Sequence, residues 1–331
     1  MILWKTHIII FHLLHDKFSR IIISGLLEKA SLKSHHSSMP KVWYVAIVGR
    51  PNAGKSTLLN ALIGERVSAI SPRPQTTVRS IPGIFTDEDR EIQIIFLDTP
   101  GIHHDGTEQF GSQKATNINT RINSEAFASL READIIIRLI DPTRPAWAED
   151  ARIDEVLSFA KQPILRIETK QDVNNKPHSS PDTDIKIDSI NKVGFEDLIV
   201  KIAELLPEWP YLYESDYYTD QPMDLRVQEV IREQLFAELG EEIPYSCYVE
   251  IGSLENDENM LKIQAYINTE TDSQKTIVIG KGGSKINAIG TQSRLILEEI
   301  FGKKVFLGLR VKVQKNWRKN EQVLNKLFPK K

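Results

Sequence analysis

Cysteine and long apolar runs are what this chain of 331 residues has least of. Cys247 is its only cysteine, so a disulfide within the chain is excluded, and no cysteine spacing typical of a zinc site occurs. No uninterrupted apolar run is long enough to span a bilayer, and no long internal repeat is present. The length and composition, with 40% hydrophobic and 26% charged residues, fit a cytoplasmic protein of two domains in which Cys247 is a small core residue of a strand.

A glycine-rich loop follows the apolar run at 42–48. The loop reads G-x-x-x-x-G-K-S and comprises Gly49, Arg50, Pro51, Asn52, Ala53, Gly54, Lys55, Ser56 and Thr57. A strand before this loop and a helix that begins near Lys55 bring backbone N–H groups and a helix dipole to one place. The pattern predicts a cradle for nucleotide phosphates, in which Lys55 neutralises phosphate charge and Ser56 offers its hydroxyl to Mg²⁺. A simple turn before a helix is the alternative.

A second motif stands at the end of a buried strand predicted over 91–97. It consists of Asp98, Thr99, Pro100 and Gly101. After a phosphate loop, Asp98 is expected to hold Mg²⁺ through water, and the Gly101 N–H is expected to contact a γ phosphate. Taken alone, the tetrapeptide fits a surface turn equally well.

A third motif follows the apolar stretch at 164–168 and consists of Thr169, Lys170, Gln171 and Asp172. Guanine presents two adjacent N–H donors, and a carboxylate can accept from both, whereas adenine has no such pair. We therefore expect Asp172 to bind the base and Lys170 to lie over its face. As the third motif in this order, it favours GTP over ATP.

The C-terminal half has the pattern of a small RNA-binding domain. After a proline-rich boundary at 207–210 and an aromatic linker, the pattern predicts a helix over 224–239, strands over 244–251 and 261–267, a helix over 284–301 and a strand over 305–313. Between the last two helices lies a G-x-x-G loop with its neighbouring lysine: Gly280, Lys281, Gly282, Gly283 and Lys285. This order matches KH domains, in which the loop clamps a nucleic-acid backbone. A helix-joining turn is the alternative.

Basic residues concentrate at the C-terminal end of the chain. Residues 301–331 contain ten Lys or Arg and one acidic residue, whereas the whole chain carries a net charge of −3. This distribution favours a polyanion at one end of the molecule, although the last lysines also fit a solvated surface. Trp317 fits either a base-stacking platform or packing of the final helix, and packing is favoured.

With these motifs in order, the chain resembles the Era family of GTPases over about residues 39–320. Pro74, Gln75, Thr76 and Thr77 match the first switch of that family, and Ile102 and His103 continue the match after Gly101. The resemblance implies an α/β, doubly wound P-loop GTPase domain at 39–206, a linker at 207–223 and a smaller α+β type II KH domain at 224–331. Thr77 would complete Mg²⁺ coordination and act in catalysis with Lys55 and Gly101.

The resemblance also implies partners and a slow reaction. Ile102 occupies the position of a water-orienting glutamine in other GTPases, so hydrolysis without help is expected to be slow. Asn52 resembles a P-loop asparagine that binds K⁺, and a role in capping the loop fits equally well. The implied partners are GTP or GDP, 16S ribosomal RNA and the small ribosomal subunit. The resemblance implies a cytoplasmic monomer, and it leaves peripheral contact with the inner membrane open.

Three departures from the family lie in the GTPase half. Thr169 replaces the usual asparagine, Val78 replaces an arginine after the switch threonines, and the span from Asp172 to Asp188 is about half the usual length. The alternative to an active GTPase is therefore an RNA-binding assembly protein with a degenerate nucleotide site.

Residues 1–38 precede the family pattern. They carry short apolar runs, five basic residues and two acidic residues, which fit an interfacial helix or a targeting segment. We favour a start assigned too far upstream and expect these residues to be absent from the mature protein or disordered.

Overall fold

A computed structural model describes residues 41–70, 79–101, 118–206, 208, 210–240 and 242–328. Predictions for residues 1–38, for Pro74 to Val78, and for Ile102 and His103 lie outside this range. The N-terminal part contains one six-stranded sheet in the order β2-β3-β1-β4-β5-β6. Its strands are β1 (Lys41–Val48), β2 (Ile81–Asp87), β3 (Ile92–Asp98), β4 (Ile135–Ile140), β5 (Ile164–Glu168) and β6 (Ile185–Lys186).

All neighbouring strands of this sheet are parallel except β2 and β3. Its helices in the described residues are α1 (Lys55–Ile63), α2 (Ile118–Glu132), α3 (Ala148–Leu157) and α4 (Phe195–Leu205). Alternate residues of β1 enter two different cores, because Val45 and Ile47 pack with α1 and α4 while Ala46 and Val48 pack with α2 and α3. Both faces of the sheet are therefore covered, which explains the continuous apolar runs and confirms the doubly wound prediction.

The C-terminal part contains a three-stranded sheet, β7-β8-β9, in which β7 and β8 are antiparallel and β8 and β9 are parallel. Its elements are α5 (Met223–Glu238), β7 (Tyr248–Asn256), β8 (Met260–Thr269), α6 (Asp272–Ile279), α7 (Ser284–Phe301), β9 (Lys304–Val313) and α8 (Glu321–Leu327). One face of the sheet packs on α5, α6 and α7. The predicted order of helices and strands is confirmed, as is the α+β class of this domain.

One predicted strand boundary was wrong. Residues Pro244–Ser246 form a 3-10 turn, and β7 begins only at Tyr248. Proline lacks a backbone donor for a sheet and fits the first turn of a helix, which explains the shift. Cys247 therefore precedes the strand, although it is buried as predicted, and burial raises the pKa of its thiol to about 11.

The segment between the two sheets is held against the N-terminal sheet. The side chain of Gln93 on β3 accepts hydrogen bonds from the backbone N–H groups of Leu212 and Tyr213 and donates one to the Tyr213 carbonyl. The Ile84 N–H donates to the Tyr218 carbonyl at 2.9 Å. This packing brings α5 alongside the N-terminal domain.

Among the described residues, contacts between the two domains lie on α5 and near the C-terminal end. On α5, Glu233 forms an ion pair with Arg66, and Arg226 donates to the Arg66 carbonyl at 3.0 Å. At the other end, Leu324 and Phe328 pack against Ile122 of α2. The helix that opens the C-terminal domain thus lies next to the segment that follows α1.

Candidate functional site

The glycine-rich loop lies between β1 and α1, at the carboxyl edge of the parallel strands. Gly54 has a φ of +95° and Asn52 a φ of +62°, so the loop passes twice through left-handed backbone conformations. A Cβ on Gly49 would lie 3.2 Å from the Leu139 carbonyl oxygen, which leaves little room for a side chain there. These backbone conformations turn the chain sharply into the N-terminus of α1, the geometry that favours an anion.

Lys55 lies inside this turn. Its ammonium donates to the carbonyl oxygens of Gly49 at 3.0 Å and Arg50 at 3.1 Å. Burial lowers the pKa of Lys55 to about 8, an effect that nearby Asp98 opposes. The direct hydrogen-bond partners of the ammonium are neutral carbonyls, so a phosphate would add a charge-assisted contact.

Asp98 at the end of β3 faces the first turn of α1. One of its carboxylate oxygens accepts hydrogen bonds of 2.6 Å from the hydroxyls of Ser56 and Ser68, and the other is buried without a hydrogen-bond partner. Burial raises the pKa of Asp98, and Lys55 and the two serines oppose this rise. A buried carboxylate oxygen without a donor, beside a serine hydroxyl, fits the sparse protein ligands of Mg²⁺. Sequence analysis predicted Ser56 and Asp98 together but missed Ser68.

The rest of the second motif packs against the phosphate loop. The Thr99 hydroxyl donates to the Ile47 carbonyl at 2.7 Å, which ties the ends of β3 and β1 together. A Cβ on Gly101 would lie 3.1 Å from Pro51 Cγ. Glycine at this position therefore allows the chain to pass close to the phosphate loop, as its predicted contact with a γ phosphate requires.

The third motif is joined to the phosphate loop by Thr169. Its hydroxyl donates to the carbonyls of Ala53 at 2.9 Å and Ile140 at 3.2 Å. Threonine at this position thus ties the third motif to the phosphate loop. Asp172 is exposed beyond this anchor, where its carboxylate is accessible to a ligand.

Asp141, which follows β4, is a site residue that sequence analysis missed. Its carboxylate is fully buried and accepts from Lys170 Nζ at 2.7 Å, Arg144 Nε at 2.9 Å and the Thr143 hydroxyl at 2.6 Å. These hydrogen bonds outweigh burial and lower the pKa of Asp141 to about 2. The signal was available, because Asp141 is an acidic residue that directly follows an apolar strand at the same sheet edge.

The side chain of Arg50 does not point into the phosphate loop. Its guanidinium donates to the Pro145 carbonyl at 2.8 Å and forms a 2.9 Å ion pair with Asp150, which also pairs with buried Arg138. The prediction that Arg50 binds nucleotide therefore applies to its backbone. The side chain holds the loop against the chain segment after β4.

The shortened segment after Asp172 contains no helix in residues 169–184 and ends in the two-residue strand β6. Buried Glu168 organises it by accepting hydrogen bonds from the Ser179 hydroxyl, the Ser180 N–H and the Gln171 amide. The Gln171 N–H also donates to the Ile187 carbonyl at 3.2 Å. Sequence analysis noted the short segment but missed Glu168 as the group that orders it.

In the second domain, the G-x-x-G loop joins α6 and α7. Gly280, Gly282 and Gly283 have φ values of 73°, 60° and 81°, conformations that side chains rarely adopt. A Cβ on Gly280 would lie 2.8 Å from Lys285 Cγ, so the loop needs glycine for the close approach of the second helix. Lys281 is exposed at the tip of the loop, where its charge is available to a phosphate.

Trp317 is a packing residue, as sequence analysis favoured. Its ring is fully buried, its indole N–H donates to the Ser246 carbonyl at 3.0 Å, and it packs on Tyr248. It is therefore not available to stack on a base. Among the described residues, no helix has the length and apolar character needed to cross a membrane.

Comparison with known proteins gives the same two domains. A family model described as 50S ribosome-binding GTPase matches residues 44–170, and one described as KH domain matches residues 242–318. The chain is 39% identical over 302 residues to GTPase Era of Thermoanaerobacter sp. strain X514, covering 87% of this chain and 96% of the relative. It is 40% identical over 299 residues to GTPase Era of Borrelia garinii subsp. bavariensis, covering 87% and 99%.

Two solved structures share the whole arrangement. One is Era of Aquifex aeolicus bound to GDP·AlF4⁻, with a TM-score of 0.77 and 34% identity, covering 87% of this chain and 99% of that one. The other is Era in complex with MgGDPNP and nucleotides 1506–1542 of 16S ribosomal RNA, with a TM-score of 0.77 and 33% identity, covering 88% and 99%.

Proposed function

Because the chain belongs to the Era family of GTPases, we propose that it is a GTP-hydrolysing switch whose KH domain binds 16S ribosomal RNA and assists assembly of the small ribosomal subunit. The observation that carries the nucleotide half is the arrangement of Lys55, Ser56 and Asp98 around one loop. The relative bound to a ribosomal RNA segment supports the RNA half. We place this function in the cytoplasm, in a monomer.

The residues of the first domain have separate roles in this proposal. The loop from Gly49 to Thr57 binds the phosphates through its backbone N–H groups, and Lys55 neutralises their charge. Ser56 and Asp98 hold Mg²⁺, with Thr77 as a further ligand that lies outside the described residues. When bound, the metal neutralises negative charge on the phosphate oxygens. Thr99 and Pro100 lead the chain to Gly101, whose backbone N–H contacts the γ phosphate.

Base recognition rests on the third motif. Asp172 accepts from guanine N1–H and N2–H₂, and Lys170, fixed by Asp141, lies over the base. Thr169 and Gln171 hold this motif against the phosphate loop and β6. The exposed position of Asp172 leaves its carboxylate available for this role.

Titration of the full chain with a non-hydrolysable GTP analogue and Mg²⁺ tests base recognition, with the ATP analogue as control. We expect binding of the guanine form only. The variant Asp172→Asn should lose at least about tenfold in GTP-analogue affinity, because a bidentate charged contact is removed. It should gain affinity for the xanthine analogue, whose C2 carbonyl accepts from an amide. Equal GTP affinity in variant and wild type would contradict the assignment of Asp172.

Hydrolysis is proposed to be slow and aided by K⁺. Ile102 has no group that orients water by a hydrogen bond, and Asn52 lies in the phosphate loop with a left-handed backbone. Hydrolysis should therefore be faster in K⁺ than in Na⁺, and Asn52→Ala should abolish the difference. Equal wild-type rates in the two salts would remove the cation from the mechanism.

RNA binding by the KH loop is tested with the double variant that carries both Lys281→Asp and Gly282→Asp. Two carboxylates at the loop tip repel a phosphate backbone, so the affinity for RNA should fall at least about tenfold. Fluorescence anisotropy with labelled RNA of nucleotides 1506–1542 measures this, and cooperative urea unfolding of the variant, followed by the fluorescence of buried Trp317, is the control for folding of this domain. Unchanged RNA affinity would contradict the loop assignment.

A second candidate function is an RNA-binding assembly protein with a degenerate nucleotide site. The segment at 169–184 favours it, because it contains no helix to support the base pocket. Failure of either nucleotide analogue to bind, with RNA binding intact, would decide for this alternative.

A further inference from the structure

The C-terminal sheet has an outer face that α5, α6 and α7 leave uncovered along β8 and β9. Side chains alternate along β8 and β9, and Leu261, Ile263, Ala265 and Ile267 of β8 point into the core with the helices. The intervening residues face outward. On β8 and β9 these outward residues are Lys262, Gln264, Tyr266, Lys304, Phe306, Gly308, Arg310 and Lys312, which we call the outer face.

An aromatic side chain is exposed on this outer face. Phe306 is 54% exposed, although phenylalanine is usually buried. Beside it the surface is flattened, because Gln264 lies across Gly308, where a Cβ would come within 2.3 Å of the glutamine Oε1. Phe306 therefore presents its ring at the edge of a level surface, as an aromatic stacking platform does.

Basic side chains extend from that ring along β9. Arg310, Lys304 and Lys312 are all exposed, and they lie on the same strand as Phe306. Lys312 is held in place by Tyr266, with its ammonium 3.1 Å from the ring centroid. Arg310 lies four residues from Phe306, or about 13 Å along the strand.

The acidic residues near this face lie on β7 or just after it, where Glu255 stands opposite Lys262. Glu250 contacts Lys326 at 3.5 Å, and Asp257 contacts Lys262 at 3.0 Å. The charge on the β9 side of the outer face is therefore positive. Interfaces between proteins are depleted of lysine, whereas an exposed aromatic ring among cations matches a single-stranded nucleic acid, which has both phosphates and stacking bases.

We propose that the outer face of β8 and β9 is a second binding site for single-stranded RNA, separate from the G-x-x-G loop. Phe306 stacks on a base. Arg310 and Lys312, farther along β9, bind phosphates of the same RNA strand. The two sites lie on opposite sides of the sheet, because α6, α7 and their connecting loop belong to the covered side. The proposal shares its class of ligand with the proposed function but does not depend on the loop.

The test compares two RNAs bound to the full chain. The long RNA has the sequence of nucleotides 1506–1542 of 16S ribosomal RNA. The short RNA covers its 3′ end and is only a few nucleotides longer than the roughly four that a KH loop clamps. In the variant Phe306→Ala/Arg310→Gln, we expect affinity for the long RNA to fall about tenfold or more, because one stacked base and one phosphate contact are lost. Affinity for the short RNA should not change.

Salt dependence separates this role from a structural one. Loss of a phosphate contact to a single strand should reduce the slope of log K against log salt by roughly 0.7 in Arg310→Gln, whereas Phe306→Ala should leave the slope unchanged. The matched control is Phe159→Ala/Arg166→Gln, which removes an exposed phenylalanine and an exposed arginine from the other domain. This control should bind both RNAs as the wild type does.

Several outcomes would overturn the second site. These are unchanged affinity of the outer-face variant for the long RNA, an equal loss for both RNAs, or a change of oligomeric mass without a change in RNA binding. The proposed function fails separately, if Lys281→Asp/Gly282→Asp binds both RNAs normally. If that loop variant keeps residual affinity for the long RNA and the outer-face substitutions remove it, the second site is established independently.

Discussion

At the scale of single residues, the site contains two groups whose charged forms are destabilised by burial. Lys55 is held by two carbonyl oxygens, and Asp98 has one carboxylate oxygen without a donor. Burial lowers the pKa of Lys55 to about 8 and raises the pKa of Asp98, so each group is less stable in its charged form than it would be in water. Phosphate and a divalent cation supply the opposite charges, which links ligand binding to relief of this cost.

Replacement of Lys55 tests this directly. In Lys55→Ala the affinity for a GTP analogue should fall at least about tenfold, because a buried charge-assisted contact to phosphate is lost. Isothermal titration calorimetry measures the affinity, and Lys161→Ala, which removes an exposed lysine of the same domain, is the control. RNA binding should be unchanged in both variants. Wild-type nucleotide affinity in Lys55→Ala would show that the loop does not bind phosphate.

At the scale of elements, the guanine side is built around a loop instead of a helix. Glu168 ends β5 and replaces the missing packing with hydrogen bonds to residues 171, 179 and 180. These bonds lower the pKa of Glu168 below its usual value against the opposing effect of burial, which is the largest single influence on it. One buried carboxylate therefore holds the loop that follows Asp172.

Removal of that carboxylate should loosen the whole loop. In Glu168→Ala we expect the free energy of unfolding to fall by about 1–2 kcal/mol, because its donors lose a buried acceptor and several can turn to water. The affinity for guanine nucleotide should fall as well, while RNA binding stays the same. Urea denaturation and nucleotide titration measure the two effects, with Glu204→Ala, an exposed residue on α4, as the control. A loss of stability without a loss of nucleotide affinity would separate this loop from base recognition.

At the scale of the whole molecule, α5 connects the two sites. Arg66 contacts Glu233 and Arg226 of α5, and Ser68, two residues on, donates to Asp98. Asp98, the proposed Mg²⁺ ligand, is thus linked to the first helix of the KH domain by a hydrogen bond, residues 66–68 and an ion pair. This link gives a structural basis for nucleotide state to influence RNA binding, because Ser68 contacts Asp98 directly and Arg66 contacts Glu233 directly.

Glu229 makes this interface sensitive to pH. It is buried on α5 among Arg232 and Glu233 of its own helix and Arg79 and Asp98 of the other domain, and one of its carboxylate oxygens has no hydrogen bond. Burial raises the pKa of Glu229 from 4.5 to about 7, with Arg232 opposing the rise. Between these values the folded protein binds more protons than the unfolded chain, so stability falls as pH rises from about 4.5 to 7.

The variant Glu229→Gln should remove this dependence. Its free energy of unfolding should match the wild type near pH 4 and exceed it at pH 8 by a difference on the order of 3 kcal/mol. Urea denaturation at several pH values measures the difference, and Glu238→Gln, an exposed residue of the same helix, is the control. Equal stability of Glu229→Gln and wild type at pH 8 would mean that water or a cation already neutralises the carboxylate.

Much of this molecule was predictable because its signals are local. The G-x-x-x-x-G-K-S loop, the Asp98 motif and the G-x-x-G loop each stand beside a strand or helix whose apolar pattern indicates its type, and parallel strands bring their carboxyl ends to one edge. From these the sequence by itself determined both domains and the order of elements, and it assigned Ser56 and Asp98, which the structure places in contact, to one proposed metal site. It also favoured burial of Trp317, whose packing the structure confirmed.

Only the tertiary structure decided the partners of side chains that lie far apart in the chain. Asp141 with Lys170, Arg50 with Asp150, and Arg66 with Glu233 are joined across separate elements, so no spacing in the sequence encodes these pairs. Which face of β8 and β9 stays uncovered was also decided only by the tertiary structure. Alternation assigns residues to two faces of a strand, but it does not say which face the helices cover. Those choices follow from how the elements pack, which is a property of the whole chain.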